Sequence, residues 1–165
     1  MLIAVMSDIH DNLTNLQYFL NYCQNNKIEQ LICCGDVTNS ETLNILANGF
    51  NGAIHLVKGN REIYYEEEVI RYRNIKYYRK IGYFEIDTIK ISICHEPFLI
   101  KKITNHYKDI DFVFYGHTHK PWIEVKGKTK ITNPGTLGGV FQDATFSVLN
   151  TKTGYLELKL LENTL

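Results

Sequence analysis

Apolar residues come in short runs along this chain, and the early runs stop at polar residues of a particular kind. The run Leu2-Ile3-Ala4-Val5-Met6 ends at Ser7-Asp8, and Leu13, Leu16, Phe19, Leu20 and Cys23 follow at helical spacing. This predicts a strand, a loop and a helix. A second run, Leu31-Ile32-Cys33-Cys34, stops at Gly35-Asp36, and Leu43, Leu46 and Ala47 lead to Asn48-Gly49, which marks a helix end. A third run, residues 53 to 57, ends at Gly59-Asn60. Three βα units in a row predict a parallel sheet with right-handed crossovers, and the nearly continuous apolar strands predict a sheet covered by helices on both faces.

From about residue 75 the pattern changes. Residues 83 to 87 and 89 to 93 flank a short turn, as in an antiparallel hairpin, and a helix carrying Phe98, Ile100 and Ile103 follows. Residues 111 to 115 read as another buried strand, and the remainder reads as hairpins with turns at Lys126-Gly127-Lys128 and Thr151-Lys152-Thr153-Gly154. The expectation is a βαβα half joined to a more antiparallel half, with no internal repeat and no linker.

Composition narrows the function classes. The 165 residues are 44% hydrophobic and 22% charged, which predicts one folded domain spanning 1–165 and excludes disorder and low complexity. Eighteen basic side chains balance eighteen acidic ones, so no global field draws in a nucleic-acid backbone or an anionic membrane. No apolar stretch is long enough to cross a bilayer. The first run lacks a basic leader, and Cys23, Cys33, Cys34 and Cys94 form no C-x-x-C pair, so the reading is a cytoplasmic protein with reduced, mostly buried thiols.

The candidate chemistry lies where the strands end. Asp8 and His10 follow the first strand, Asp36 the second, Asn60 the third, His95 the strand of residues 89 to 94, and Gly116-His117-Thr118-His119 the next. In open α/β sheets the ligand crevice lies at the carboxyl ends of the strands, so these positions would converge. Alone, Asp8 or Asp36 is more often a helix cap, and Asn60 a turn residue. Together, two Asp, one Asn and four His suit a site for two divalent metals. In extended backbone, residues i and i+2 project to one side, which would aim Asp8 with His10 and His117 with His119 at one place. Two metals about 3.5 to 4 Å apart need a bridging ligand, and Asp36 is the candidate.

In order and approximate spacing, Asp8-x-His10, Gly35-Asp36, Gly59-Asn60, His95 and Gly116-His117-x-His119 resemble the calcineurin-like metallophosphoesterase superfamily. Asn133-Pro134-Gly135-Thr136 resembles that family's Asn-Pro-Gly-Ser loop, and the length matches its small bacterial and archaeal phosphodiesterase subgroup, related in fold to the retromer subunit. The resemblance implies a four-layer αββα sandwich of two mixed β-sheets flanked by helices. It implies one metal held by Asp8, His10, Asp36 and His119 and a second held by Asp36, Asn60, His95 and His117, with Asp36, Asn60 and His95 as catalytic candidates. Manganese is the expected ion, with iron, zinc, nickel or cobalt as alternatives. A hydroxide bridging the ions would attack the phosphorus of a small-molecule, nucleotide-like ester in line. Dimers or tetramers are compatible with the family, a non-catalytic metal-binding scaffold of the same fold is the alternative function, and the neutral charge weighs against a nuclease.

Arg61 departs from the family pattern, which often has His or Cys there. Arginine cannot act as a general acid near neutral pH, but its planar fork can bind a phosphate. The competing reading is a structural salt bridge to Glu62 or to one of Glu66 to Glu68. His55 and His106 match no motif and read as packing or surface residues. The stretch from Tyr64 to Arg79, rich in tyrosine and basic residues, could stack on and neutralise a nucleotide.

Overall fold

A computed structural model describes residues 1–162. Its first sheet holds β1 (Leu2–Met6), β2 (Gln30–Cys33), β3 (Ala53–Leu56) and β4 (Ile75–Tyr77) in parallel, with β10 (Thr145–Asn150) and β11 (Tyr155–Leu160) antiparallel beyond β1. The second sheet has the order β5 (Ile81–Ile86), β6 (Ile89–Cys94), β7 (Phe112–Phe114), β9 (Thr129–Asn133), β8 (Trp122–Lys126), and it is also mixed. Helices α1 (Leu13–Asn25), α2 (Ser40–Gly49), α3 (Glu66–Val69) and α4 (Ile100–His106) complete the described elements, with a 3₁₀ turn at Pro97–Leu99.

Three apolar layers define the packing. Leu16, Phe19 and Leu20 of α1 and Leu43 and Leu46 of α2 pack on Ala4, Met6, Leu31 and Leu56 of the first sheet. Ile3, Val5 and Ile32, on the other face of those strands, meet Ile91, Ile93, Phe112 and Phe114 of the second sheet. Cys94, Val113 and Ile131 on the far face of the second sheet pack against Ile103 of α4. The order is helix, sheet, sheet, helix, as the family resemblance implied. The periodicity-based expectation of helices on both faces of the first sheet is corrected here: its inner face is covered by the second sheet, because a continuous apolar strand reports burial on two sides without saying what does the burying. A second correction concerns connectivity, since the last hairpin returns to pair with β1 instead of extending the antiparallel half.

Local signals explain the element ends. Asn12 and Asn39 cap α1 and α2, their side-chain oxygens accepting from Asn15 N at 3.0 Å and Thr42 N at 2.9 Å. Cys33 and Cys34 fall in different layers, as adjacent strand residues must, and all four cysteines are free and buried. His55 is a packing residue, stacked on Phe84 at 3.9 Å between ring centroids, with Tyr78 Oη and Gln30 Oε1 each 2.9 Å from its nitrogens. No helix among the described residues is long and apolar enough to cross a membrane.

Candidate metal centre

The carboxyl ends of β1, β2, β3, β6 and β7 meet at one edge of the sandwich, and all seven predicted ligand positions converge there. Asp8 is fully buried. Its Oδ1 lies 3.7 Å from His10 Nε2 and 3.2 Å from His119 Nε2, and its Oδ2 accepts from His117 N at 3.0 Å. Asp36 Oδ2 lies 3.6 Å from His10 Nε2 and 3.4 Å from His95 Nε2, while its Oδ1 accepts from Arg61 N at 2.8 Å. Asn60 Oδ1 stands 2.8 Å from both His95 Nε2 and His117 Nδ1. Among the described residues two groups have the spacing to hold a metal ion: Asp8 with His10 and His119, and Asp8 with Asp36 and His95.

The backbone reaches this geometry by a route different from the extended i, i+2 pattern. Asp8, His10, Asp36, His117 and His119 all have positive φ, between 47° and 70°. β1, β2 and β7 therefore break into left-handed turns at their ends, a conformation that Asp, His and Asn tolerate better than most residues. His117 and His119 consequently diverge, one toward Asn60 and the other toward Asp8. The glycines of the motifs have a steric reason. A Cβ on Gly59 would overlap the Asp36 carboxylate and backbone, and one on Gly116 would overlap Ser7 Oγ and press on Asp8.

Electrostatics favour cations. Burial alone would raise the Asp8 pKa, but hydrogen bonds from His10 and His119 outweigh it and hold the carboxyl well below its usual range. Asp36 is lowered too, burial being overcome by His95 and the Arg61 N–H. Burial would lower the His95 pKa, yet the Asp36 and Asp8 carboxylates raise it to about 9, and the Asp8 partner likewise raises His119. The field that draws protons onto these imidazoles would draw a divalent ion in their place. The outer nitrogens are already committed, His95 Nδ1 donating to Cys34 O at 2.8 Å and His119 Nδ1 to Val140 O at 3.1 Å, which leaves both Nε2 lone pairs facing inward. This mixed oxygen and nitrogen donor set fits divalent metal ions.

Several supporting residues escape a sequence reading. Glu62 accepts from Thr38 N at 2.7 Å, Gly59 N at 3.1 Å and Val37 N at 3.3 Å, tying the Asp36 loop to the Asn60 loop. Thr136 Oγ1 donates to Asp8 O at 2.9 Å, and Asn133 Nδ2 donates to Gly116 O at 2.8 Å and Thr118 Oγ1 at 3.0 Å. Only the Asn-Pro-Gly-Thr loop carried a signal in the sequence. Among the described residues no ion pair joins Arg61 to Glu62 or to any of Glu66 to Glu68: Glu62 serves backbone N–H groups, Glu66 pairs with Lys58 and Arg79, and Glu68 accepts from Tyr65 N. Arg61 is exposed at the rim of a cleft of about 390 Å³ above the donors.

The sequence profile described as the calcineurin-like phosphoesterase superfamily domain matches residues 1–154. The chain belongs to this superfamily. Its enzyme class is therefore that of metal-dependent phosphoester hydrolases. This calcineurin-like phosphoesterase is 29% identical to "Phosphodiesterase MJ0936" of Methanocaldococcus jannaschii over 97% of its own length and 99% of that protein's. Its fold is shared with a structure described as a novel archaeal phosphodiesterase, at TM-score 0.87 and 23% identity, covering 97% of this chain and 99% of that one. It is shared too with Yfce, a phosphoesterase from E. coli, at TM-score 0.74 and 19% identity, covering 100% and 96%.

Proposed function

We propose that this phosphoesterase is a two-metal phosphodiesterase acting on a small-molecule phosphodiester. The observation that carries this reading is the position of Asp36, a single carboxylate oxygen of which lies 3.6 Å from His10 Nε2 and 3.4 Å from His95 Nε2. One ion would be held by Asp8, His10, Asp36 and His119, and the second by Asp36, Asn60, His95 and His117. Two divalent ions there supply Lewis acidity and bring the pKa of a bound water toward neutrality. Manganese is our choice, since hard carboxylate and amide oxygens combine with imidazoles and no thiolate is present. The preference for diesters over monoesters rests on the relative whose name is phosphodiesterase.

Arg61 extends this reading to the substrate. Its backbone N–H steadies Asp36 while its guanidinium, exposed on the cleft, is free to present a donor fork to a phosphate. No proton donor for the leaving group comes from this position, so esters with good leaving groups are favoured. The four buried, free cysteines fit a reducing cytosol.

The test is hydrolysis of a chromogenic phosphodiester and the matching monoester by chelator-stripped protein, with and without restored manganese, using Asp36→Asn as control. Diester turnover that needs both the metal and Asp36 is expected. Metal binding without cleavage of either ester would replace this reading with a metal-binding interaction scaffold.

A further inference from the structure

The cleft above the donor groups has two unlike walls. Arg61 stands on one, and Val140 with Phe141 forms an apolar one. Phe141 is 92% exposed and sits at φ +62°, a backbone conformation that a residue with a Cβ adopts only at a cost. Neither burial of its ring nor a hydrogen bond explains that cost, and strained residues of this kind gather at ligand-binding positions. The ring is placed by the candidate metal ligands: the Val140 carbonyl beside it accepts a hydrogen bond from His119 Nδ1, and the Phe141 ring lies 6.4 Å from the His119 ring at an interplanar angle of 20°.

The tyrosine-rich stretch is spent elsewhere. Tyr64 is buried, Tyr72 and Tyr77 pack on the first core layer, and Tyr78 stacks with His55 and Phe84. Tyr65 is exposed but does not line the cleft. Phe141 is the exposed aromatic ring on the cleft wall. We propose that Phe141 is a stacking platform for an aromatic group of the phosphoester substrate, so that aryl or nucleoside esters are preferred over alkyl ones. The inference rests on the phosphoesterase reading and names the substrate class for it. Arg61 meets the phosphate, and Phe141 meets the flat group the phosphate carries.

The test compares affinities in two matched pairs by titration calorimetry on manganese-loaded protein: phenylphosphonate against methylphosphonate, and adenosine 5'-monophosphate against ribose 5-phosphate. A stacked ring is worth about 5-fold to 100-fold in affinity. The parent protein is expected to prefer the aromatic member of at least one pair by that factor. A preference confined to the nucleotide pair assigns a nucleoside ester, and one confined to the phosphonate pair an aryl ester. Phe141→Ala should bring the ratio to within about twofold of one, and Phe141→Trp should keep it. An equal affinity within both pairs, or a preference that survives Phe141→Ala, overturns the proposal while leaving the phosphoesterase reading intact. If none of the four ligands binds and no diester is cleaved, that underlying reading fails and Phe141 with it.

Discussion

Replacing Glu62 by alanine is the sharpest test of how the centre is held together. The side chain contacts no predicted metal ligand directly, but its two oxygens take up three backbone N–H groups from the loops that carry Asp36 and Asn60. A hydrogen bond to a charged group contributes about 1.5 to 3 kcal/mol, and a buried donor left without a partner costs about 1 to 3 kcal/mol. Counting only the bonds from Thr38 and Gly59, and setting against them the burial that raises the Glu62 pKa, gives a net loss of about 3 kcal/mol. For a chain of this length that lowers Tm by roughly 6 to 12 °C. Because the loops loosen, manganese affinity should fall about 10-fold to 100-fold, the usual effect of removing a group that orients ligands. Thermal denaturation in chelator measures the first effect, and calorimetric titration with manganese the second. Glu62→Gln should lie between parent and alanine, since its amide keeps one acceptor oxygen and turns an NH₂ toward a backbone N–H. A Glu62→Ala protein within 1 kcal/mol of the parent, with unchanged metal affinity, would refute the reasoning.

Three further outcomes follow from particular residues. Gly59→Ala should destabilise by about 1 to 3 kcal/mol and weaken metal binding, because the new methyl overlaps the Asp36 carboxylate and backbone; calorimetry showing parental manganese affinity would contradict this. Phe141→Gly should stabilise the fold by about 1 kcal/mol by relieving the positive φ, seen as a raised urea midpoint at constant m-value. Burial, with Lys76 nearby, pushes the His55 pKa down to about 4. Between that value and the ordinary 6.5 the unfolded chain binds the extra proton, so stability falls as pH drops through this window, by about 3 kcal/mol in all. His55→Gln, which cannot titrate, should flatten that part of the stability curve; an unchanged slope would assign the acid sensitivity to other groups.

The candidate site was legible in the sequence because chemistry and punctuation coincide: Asp8, Asp36, Asn60, His95 and the His117–His119 pair each stand where an apolar run stops. What remained hidden depends on groups that carry no sequence pattern. The left-handed turns at Asp8 and His119 are backbone conformations of residues that read equally well as extended. Glu62 looked like a partner for its neighbour Arg61, because two of the three N–H groups it serves come from a loop more than twenty residues away. The tyrosines of residues 64 to 78, with basic residues among them, have the composition of a nucleotide-stacking surface, yet all but Tyr65 are buried or half-buried. The last hairpin announced its own turn at Gly154 but not the strand it would join, since alternation encodes a face and never a partner.

The return of that hairpin has a consequence for the order of events during synthesis. Asp8 is fixed by His117 N, 109 residues away, and by Thr136 Oγ1, 128 residues away, and its strand is flanked by β10. A nascent polypeptide that ends before His117 carries Asp8, His10 and Asp36 but lacks both of these contacts to Asp8. The Asp8 corner of the site thus forms only after a long-range closure joins β1 to the segments carrying His117 and Thr136, so the donor set takes shape late in folding and its formation reports how far folding has advanced.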